Sequence, residues 1–315
     1  MVLAGLFLGI SSLMAGASDN IFMYAAAVTI WGLHDAFSSG TGAAMIYDTL
    51  LEEQGHARNF NQALGLYETL GGIALIISNF LGGWIGEHSL LLTFNLTIIP
   101  VAVSMVCHLI YKDAKISREV ADEKLIKHTK NTFKCVFKSK SLLWLMTAIM
   151  IVFCIQKMNR EAYQLWYIAL SAPAIVFGIA GSFIEGLGGL GGSLVKYLSS
   201  RRINIVLSIL LGLASLALSV GSNLWITIAA QVLIAVVSGA LLFHFTAQIQ
   251  HQLPSQYRTG SGSVINAVGR IVLMPLTFVF GVLSNQSVFI AGWMLVVLSG
   301  LAIFVQLKLD EQASP

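Results

Sequence analysis

The residues of this chain best able to do chemistry stand apart because so little around them is polar. Of 315 residues, 56% are hydrophobic and 10% carry a formal charge. Within long apolar stretches lie Asp35, Glu185 and Arg270, with His34 and His244 as companions that can be neutral, and Glu68 near the start of another stretch. Insertion scales charge about 2.5–3.5 kcal/mol for an Asp, Lys or Arg at the centre of a membrane helix. A residue kept at that cost has a partner or lines a water-filled cavity. A carboxylate so placed binds and releases a proton or a cation, or else pairs with a neighbouring helix. The guanidinium of Arg270 offers the planar fork that suits a carboxylate. Its competing reading is a structural pair with Glu185 or with a helix-end carbonyl.

Other chemistries lack their residues. None of the seven His lies in a His-Glu-x-x-His array. His244 and His251 share the spacing of one helical face, but the first is within an apolar stretch and the second in a polar turn. The glycines from Gly186 to Gly192 lack the Lys-Ser/Thr ending of a phosphate loop. The expectation is therefore no enzyme, no metal and no cofactor. Cys107 and Cys154 fall in apolar stretches and Cys135 in a polar one, which suggests no disulfide.

The elements that must position these groups are membrane helices. The apolar blocks are about twenty residues long, the length that crosses a hydrocarbon core of roughly 30 Å. They run continuously, without the alternation of a membrane strand. The fold class is all-α, a polytopic helical bundle with spans expected at 1–17, 21–47, 62–85, 90–111, 141–158, 172–195, 203–220, 224–246, 262–283 and 287–307. Of the 18 Lys and Arg residues, fifteen fall on one side if both termini are cytoplasmic. Only Lys157 and Arg160 then face outward, and Arg270 lies within a span. The net charge of +3 is thus a signal of topology, not of nucleic-acid binding.

The longest polar segment, 112–140, divides the chain into a bundle at 1–111, a central cytoplasmic loop, a six-helix bundle at 141–307 and a tail at 308–315. Within the loop, Phe133 and Phe137 have the spacing of an amphipathic surface helix, although a solvated linker fits as well. Arg58 and Arg258 each follow a span that ends in a polar turn and precede a helix rich in small residues. Related halves of this kind build many transporters. Matching them makes the first span the third helix of its half, so two further helices are expected upstream.

The segment Ser39-Gly40-Thr41-Gly42-Ala43-Ala44-Met45-Ile46-Tyr47-Asp48-Thr49-Leu50 resembles the fourth-helix segment of a bacterial branch of the major facilitator superfamily. Leu81-Gly82-Gly83 fits the same branch. The resemblance covers family helices three to twelve and implies two pseudo-symmetric halves of four and six spans. Gly192 to Arg202 is similar to the family's loop signature, with Lys196 at its usual acidic position, Ser199 at its second Gly, and Arg201 and Arg202 at its basic end. Two departures weaken proton-driven drug export. His34 and Asp35 stand near the place of the fourth-helix Arg, and Gly71 to Gly83 contains no Pro.

The resemblance implies a secondary active transporter that moves a small solute through the bilayer of a bacterial inner membrane, coupled to a proton or cation. In the family's fourth helix Asp35 would border the central cavity and serve as the coupling site. Arg270, in the eleventh, would bind an anionic group of the solute, while Glu185 and His244 would line the path. Asp48, Arg58, Glu68, Lys196, Arg201, Arg202 and Arg258 are the expected gate or latch residues, and a monomer suffices. The competing readings are a non-transporting sensor or scaffold and an inactive remnant.

Overall fold

In a computed structural model the chain is described over residues 1–38, 41–55, 59–111, 140–190, 201–252 and 255–313. All regular structure among these residues is helical. The chain divides into two compact units, Met1–Val120 and Ala121–Pro315.

The first unit holds α1 (Val2–Gly16), α2 (Ile21–Ser38), α3 (Thr41–Gln54), α4 (Phe60–His88), α5 (Leu90–Leu96) and α6 (Ile98–Ile110). Its centre is α1, which packs on α2, α5 and α6. Small residues let these helices approach closely. A Cβ on Gly5 would stand 2.6 Å from Met105 Cγ, and one on Gly16 would stand 2.9 Å from Phe94 Cβ. Between α1 and α2, the Ser11 hydroxyl donates to the Ala27 carbonyl at 2.8 Å. Asn20 starts α2 by accepting from the Met23 amide, and Ser89 starts α5 by accepting from the Leu92 amide.

The second unit holds α7 (Lys140–Ala169), α8 (Ala174–Leu190), α9 (Arg201–Val220), α10 (Leu224–Gln252), α11 (Ser255–Ser284) and α12 (Val288–Ala313). Here α7 packs on α10, α11 and α12, α8 packs on α10, and α9 on both α10 and α12. Its core includes Leu145, Ile149, Ile155 and Met158 of α7, Leu211 and Leu218 of α9, Ile234 and Leu241 of α10, and Leu295 of α12. The seam between α9 and α12 is built from small and hydroxyl residues. Ser208 donates to Gln306 Oε1 at 2.5 Å, and Ser215 and Ser299 hydroxyls lie 3.1 Å apart. A Cβ on Gly292 would come within 3.2 Å of Ser219 Cα, so that position admits no side chain without moving backbone.

Several span boundaries differ from the sequence expectation. Seven stretches of the described residues are long and apolar enough to cross a bilayer, against ten expected. Among the described residues the apolar helices α1 and α8 run for 15 and 17 residues, and α2 carries His34, Asp35 and Ser38 in its last turns. The expected 21–47 span corresponds to α2 and α3, with residues 39–40 outside the described set. The 90–111 span is interrupted at Thr97. Pro100 accounts for this, because it has no N–H to give the Leu96 carbonyl and its ring crowds that carbonyl. The largest difference is α7, expected to end at 158 and continuous to Ala169. Its last eleven residues alternate polar Arg160, Glu161 and Gln164 with buried Tyr163, Trp166 and Tyr167, so one face continues the core while the other turns away from it.

Candidate functional site

Five of the ionisable groups marked in the sequence, His34, Asp35, Glu185, His244 and Arg270, are among the described side chains. In the first unit, His34 Nδ1 lies 2.9 Å from the Ala4 carbonyl, which makes it the protonated nitrogen and ties α2 to α1. Asp35 is exposed beside it on α2. In the second unit, His244 Nε2 receives Asn204 Nδ2 at 3.0 Å and Gln248 Nε2 at 2.9 Å. Two amide donors at one ring nitrogen make Nε2 an acceptor and the imidazole neutral. Arg270 is exposed on α11 and has no hydrogen bond or ion pair with the described residues. It lies five residues into the apolar stretch Ile265–Ser284, within reach of the polar start of α11 by snorkelling.

Glu185 does not meet Arg270. Its Oε1 accepts from Nε of Arg160, across the hairpin formed by α7 and α8. Glu185 is 17% exposed and Arg160 45%. Around this pair the hairpin carries a set of polar side chains. Lys157 pairs with Glu161 one turn on, at 3.8 Å. Asn159, 1% exposed, donates from Nδ2 to the Gln231 carbonyl of α10 at 3.1 Å. Gln231 is fully buried, accepts from the Tyr167 hydroxyl and donates to the Tyr163 carbonyl at 3.3 Å. The Tyr163 hydroxyl in turn donates to the Phe177 carbonyl of α8 at 3.3 Å and accepts from Gln164.

α8 is apolar from Ala174 onward, with Ile179 and Phe183 exposed. At 1.5 Å per residue, Glu185 lies about 17 Å along α8 from Ala174, and Arg160 about 14 Å along α7 from Ala169. Both members of the pair thus lie several turns along their helices from the α7–α8 connection. The sequence analysis paired Glu185 with Arg270 as one reading; its partner in the fold, 25 residues away, is Arg160.

The same unit has a cavity of about 320 Å³ lined by Met146, Met150, Val268, Val272 and Leu298, with Thr147 as its hydroxyl. It holds none of the ionisable candidates. Among the described residues no three His, Cys, Asp or Glu cluster as metal ligands would. Arg58 and Lys196 lie outside the described residues, as do Phe133 and Phe137. Asp48, Glu68, Arg201, Arg202 and Arg258 stand on α3, α4, α9, α9 and α11, and their side chains are outside the described set.

No curated protein matches the chain. A model of the Major Facilitator Superfamily matches residues 1–274, which takes in both units from α1 through most of α11. With apolar helices of bilayer length and ionisable groups held inside them, the chain is an integral membrane protein of the transporter type and belongs to the Major Facilitator Superfamily.

Proposed function

We propose that this protein is a secondary active transporter that carries a small, anionic solute by alternating access, driven by a proton or cation gradient. Membership of the family supplies the transport role. The observation that supports coupling is a set of charged and amide side chains retained within long apolar helices, where a purely structural bundle gains little from them. Asp35 is the coupling carboxylate in this reading, because it stands exposed on α2 beside a His whose protonated nitrogen is already engaged. Arg270 is the cation for the solute's anionic group. Both termini are cytoplasmic, and the protein works in the bacterial cytoplasmic membrane as a monomer.

Reconstitution into proteoliposomes with an imposed pH gradient tests this. Asp35→Asn should lower gradient-driven uptake at least about tenfold, the loss expected when one charge-assisted interaction is removed, while leaving solute exchange at equal pH measurable. Arg270→Ala should weaken exchange of anionic solutes. Full gradient-driven flux in both variants would remove these two assignments, and absence of flux for anionic, neutral and cationic solutes alike would favour a sensor or scaffold.

A further inference from the structure

The cavity of the second unit is a slot between α7 and α11. Six residues of α7 line it at i, i+3, i+4, i+7, i+8 and i+11, a single helical face that runs from Leu143 to Cys154. Val268, Val272 and Leu276 of α11, four residues apart, form the opposite wall. Beside the slot the two helices touch, because a Cβ on Gly269 would stand 3.0 Å from the Phe153 ring. The slot is therefore a shaped groove and not a gap left by loose packing. Leu143, Thr147 and Val272 are exposed at its mouth, whereas Met146, Cys154 and Leu298 are buried at its floor.

What fills such a slot is decided by its lining. It carries no charge, and its one hydroxyl, that of Thr147, already donates to the Leu143 carbonyl at 2.9 Å. The Cys154 thiol behaves as a small hydrophobe. A buried water needs about two to four polar partners, which this lining does not offer. An empty slot forfeits dispersion contacts along both walls. The occupant is thus apolar, and the dimensions set its shape. Eleven steps of about 1.5 Å make the α7 wall about 16 Å long, close to the depth of one hydrocarbon leaflet, half of roughly 30 Å. Spread over that length, the cavity of about 320 Å³ has a mean cross-section of about 20 Å². An α-helix, about 10–12 Å across with its side chains, is several times too wide. A single alkyl chain is not, and the flexible thioethers of Met146 and Met150 adapt to one.

We propose that the slot between α7 and α11 holds one acyl chain of an anionic phospholipid, with the headgroup at Lys140. Lys140 opens α7, is exposed, and has no ion pair with the described residues. Lys140, Leu143, Thr147, Ile151 and Cys154 follow one another at steps of three and four, so the cation heads the same face that lines the slot. The rise from Lys140 to Leu143 is about 4.5 Å, near the roughly 5–7 Å of one headgroup zone. The ammonium on its flexible stem then meets the phosphate while the chain runs along the face beyond it. The second chain of the lipid stays outside, because the slot is one chain wide. The other charges of α7 do not compete, since Lys157 and Arg160 lie past Cys154 and are paired with Glu161 and Glu185. This reading requires only a membrane protein, and it does not depend on which solute moves.

The experiment uses the full chain in nanodiscs of mixed phosphatidylglycerol and phosphatidylcholine, one of which carries a photoactivatable diazirine either near the carbonyl or near the methyl end of its chain. After irradiation, peptide mass spectrometry should place the carbonyl-end probe on Leu143 or Thr147 and the methyl-end probe on Cys154 or Leu298. Labels on Val206 and Leu213, exposed on α9, give the level of unspecific contact with lipid. Floor labelling should be about fivefold stronger from phosphatidylglycerol than from phosphatidylcholine, the weight of one basic side chain near an anionic surface. Lys140→Gln should bring the two lipids to parity. Thr147→Trp, which fills the mouth from an exposed position, should remove the floor labels and leave those on α9 unchanged. Should circular dichroism show that variant unfolded, Val272→Trp closes the same mouth from α11. Floor residues unlabelled in the wild type, or the two probes found in reverse order, would overturn the proposal. So would equal floor labelling by the two lipids, or undiminished floor labelling in the mouth-filled variant. Labelling by a free dodecanoate diazirine and by neither phospholipid would overturn the phospholipid as occupant.

Discussion

Trp166→Ala should unfold the second unit more readily than any other single truncation in α7. Trp166 is fully buried, its ring lies 6.0 Å from that of Phe280, and its indole N–H donates to the Leu218 carbonyl at 2.9 Å. Leu218 falls within the last four residues of α9, whose carbonyls have no amide in their own helix to accept from. The indole therefore fills the core between α7 and α11 and closes the end of α9 at the same time. Truncation removes the ring and strands that carbonyl, for a combined loss of about 3–5 kcal/mol. Thermal unfolding in detergent, followed by circular dichroism, should show a large drop in the midpoint. Trp166→Phe should recover most of the packing and little of the carbonyl bond, and so fall between. A midpoint equal to wild type for the Ala variant would show that α7 does not anchor the end of α9.

Gln231→Leu should be nearly as damaging, for a different reason. Leucine has almost the volume of glutamine, so packing is little changed. What it removes is the acceptor of the Tyr167 hydroxyl and the donor to the Tyr163 carbonyl, at a fully buried position. An orphaned buried polar group costs about 1–3 kcal/mol. Tyr167→Phe alone leaves the Gln231 oxygen unpaired and should also destabilise. The double variant removes donor and acceptor together, and should be less destabilised than the sum of the two single changes by roughly 0.5–1.5 kcal/mol. Strict additivity in this double-mutant cycle would mean that the two side chains do not interact.

Much of the architecture could be read from the chain because bilayer thickness imposes a length on apolar segments. The helices α4, α9, α10, α11 and α12 fall on apolar blocks, and the Tyr47-Asp48-Thr49-Leu50 run pointed to the family that the match over 1–274 establishes. What could not be read were features set by neighbours. The continuation of α7 from 158 to 169 is one. A hydropathy reading scores each residue against lipid, and Lys157, Asn159, Arg160 and Glu161 score as the end of a span. In the fold they face Gln231, Glu185 and one another. The period was nonetheless present, since buried Ile155, Met158, Asn159, Tyr163, Trp166 and Tyr167 repeat at steps of three and four. The partner of Glu185 was likewise beyond reach, because choosing Arg160 over Arg270 depends on which helices form a hairpin.

The two ways of delimiting α7 have a meaning for biosynthesis. Emerging alone from the translocation machinery, this helix would settle with its most apolar stretch, 141–158, centred in the lipid and Arg160 at the boundary. If pairing with Glu185 on α8 draws the segment from Arg160 to Ala169 inward, the helix slides along its own axis after insertion by roughly the length of one or two turns. Glycosylation-distance mapping of chains ended after Ala169 and after Leu190 should place Lys157 at different depths. Equal depths would mean that α7 takes its final register unaided.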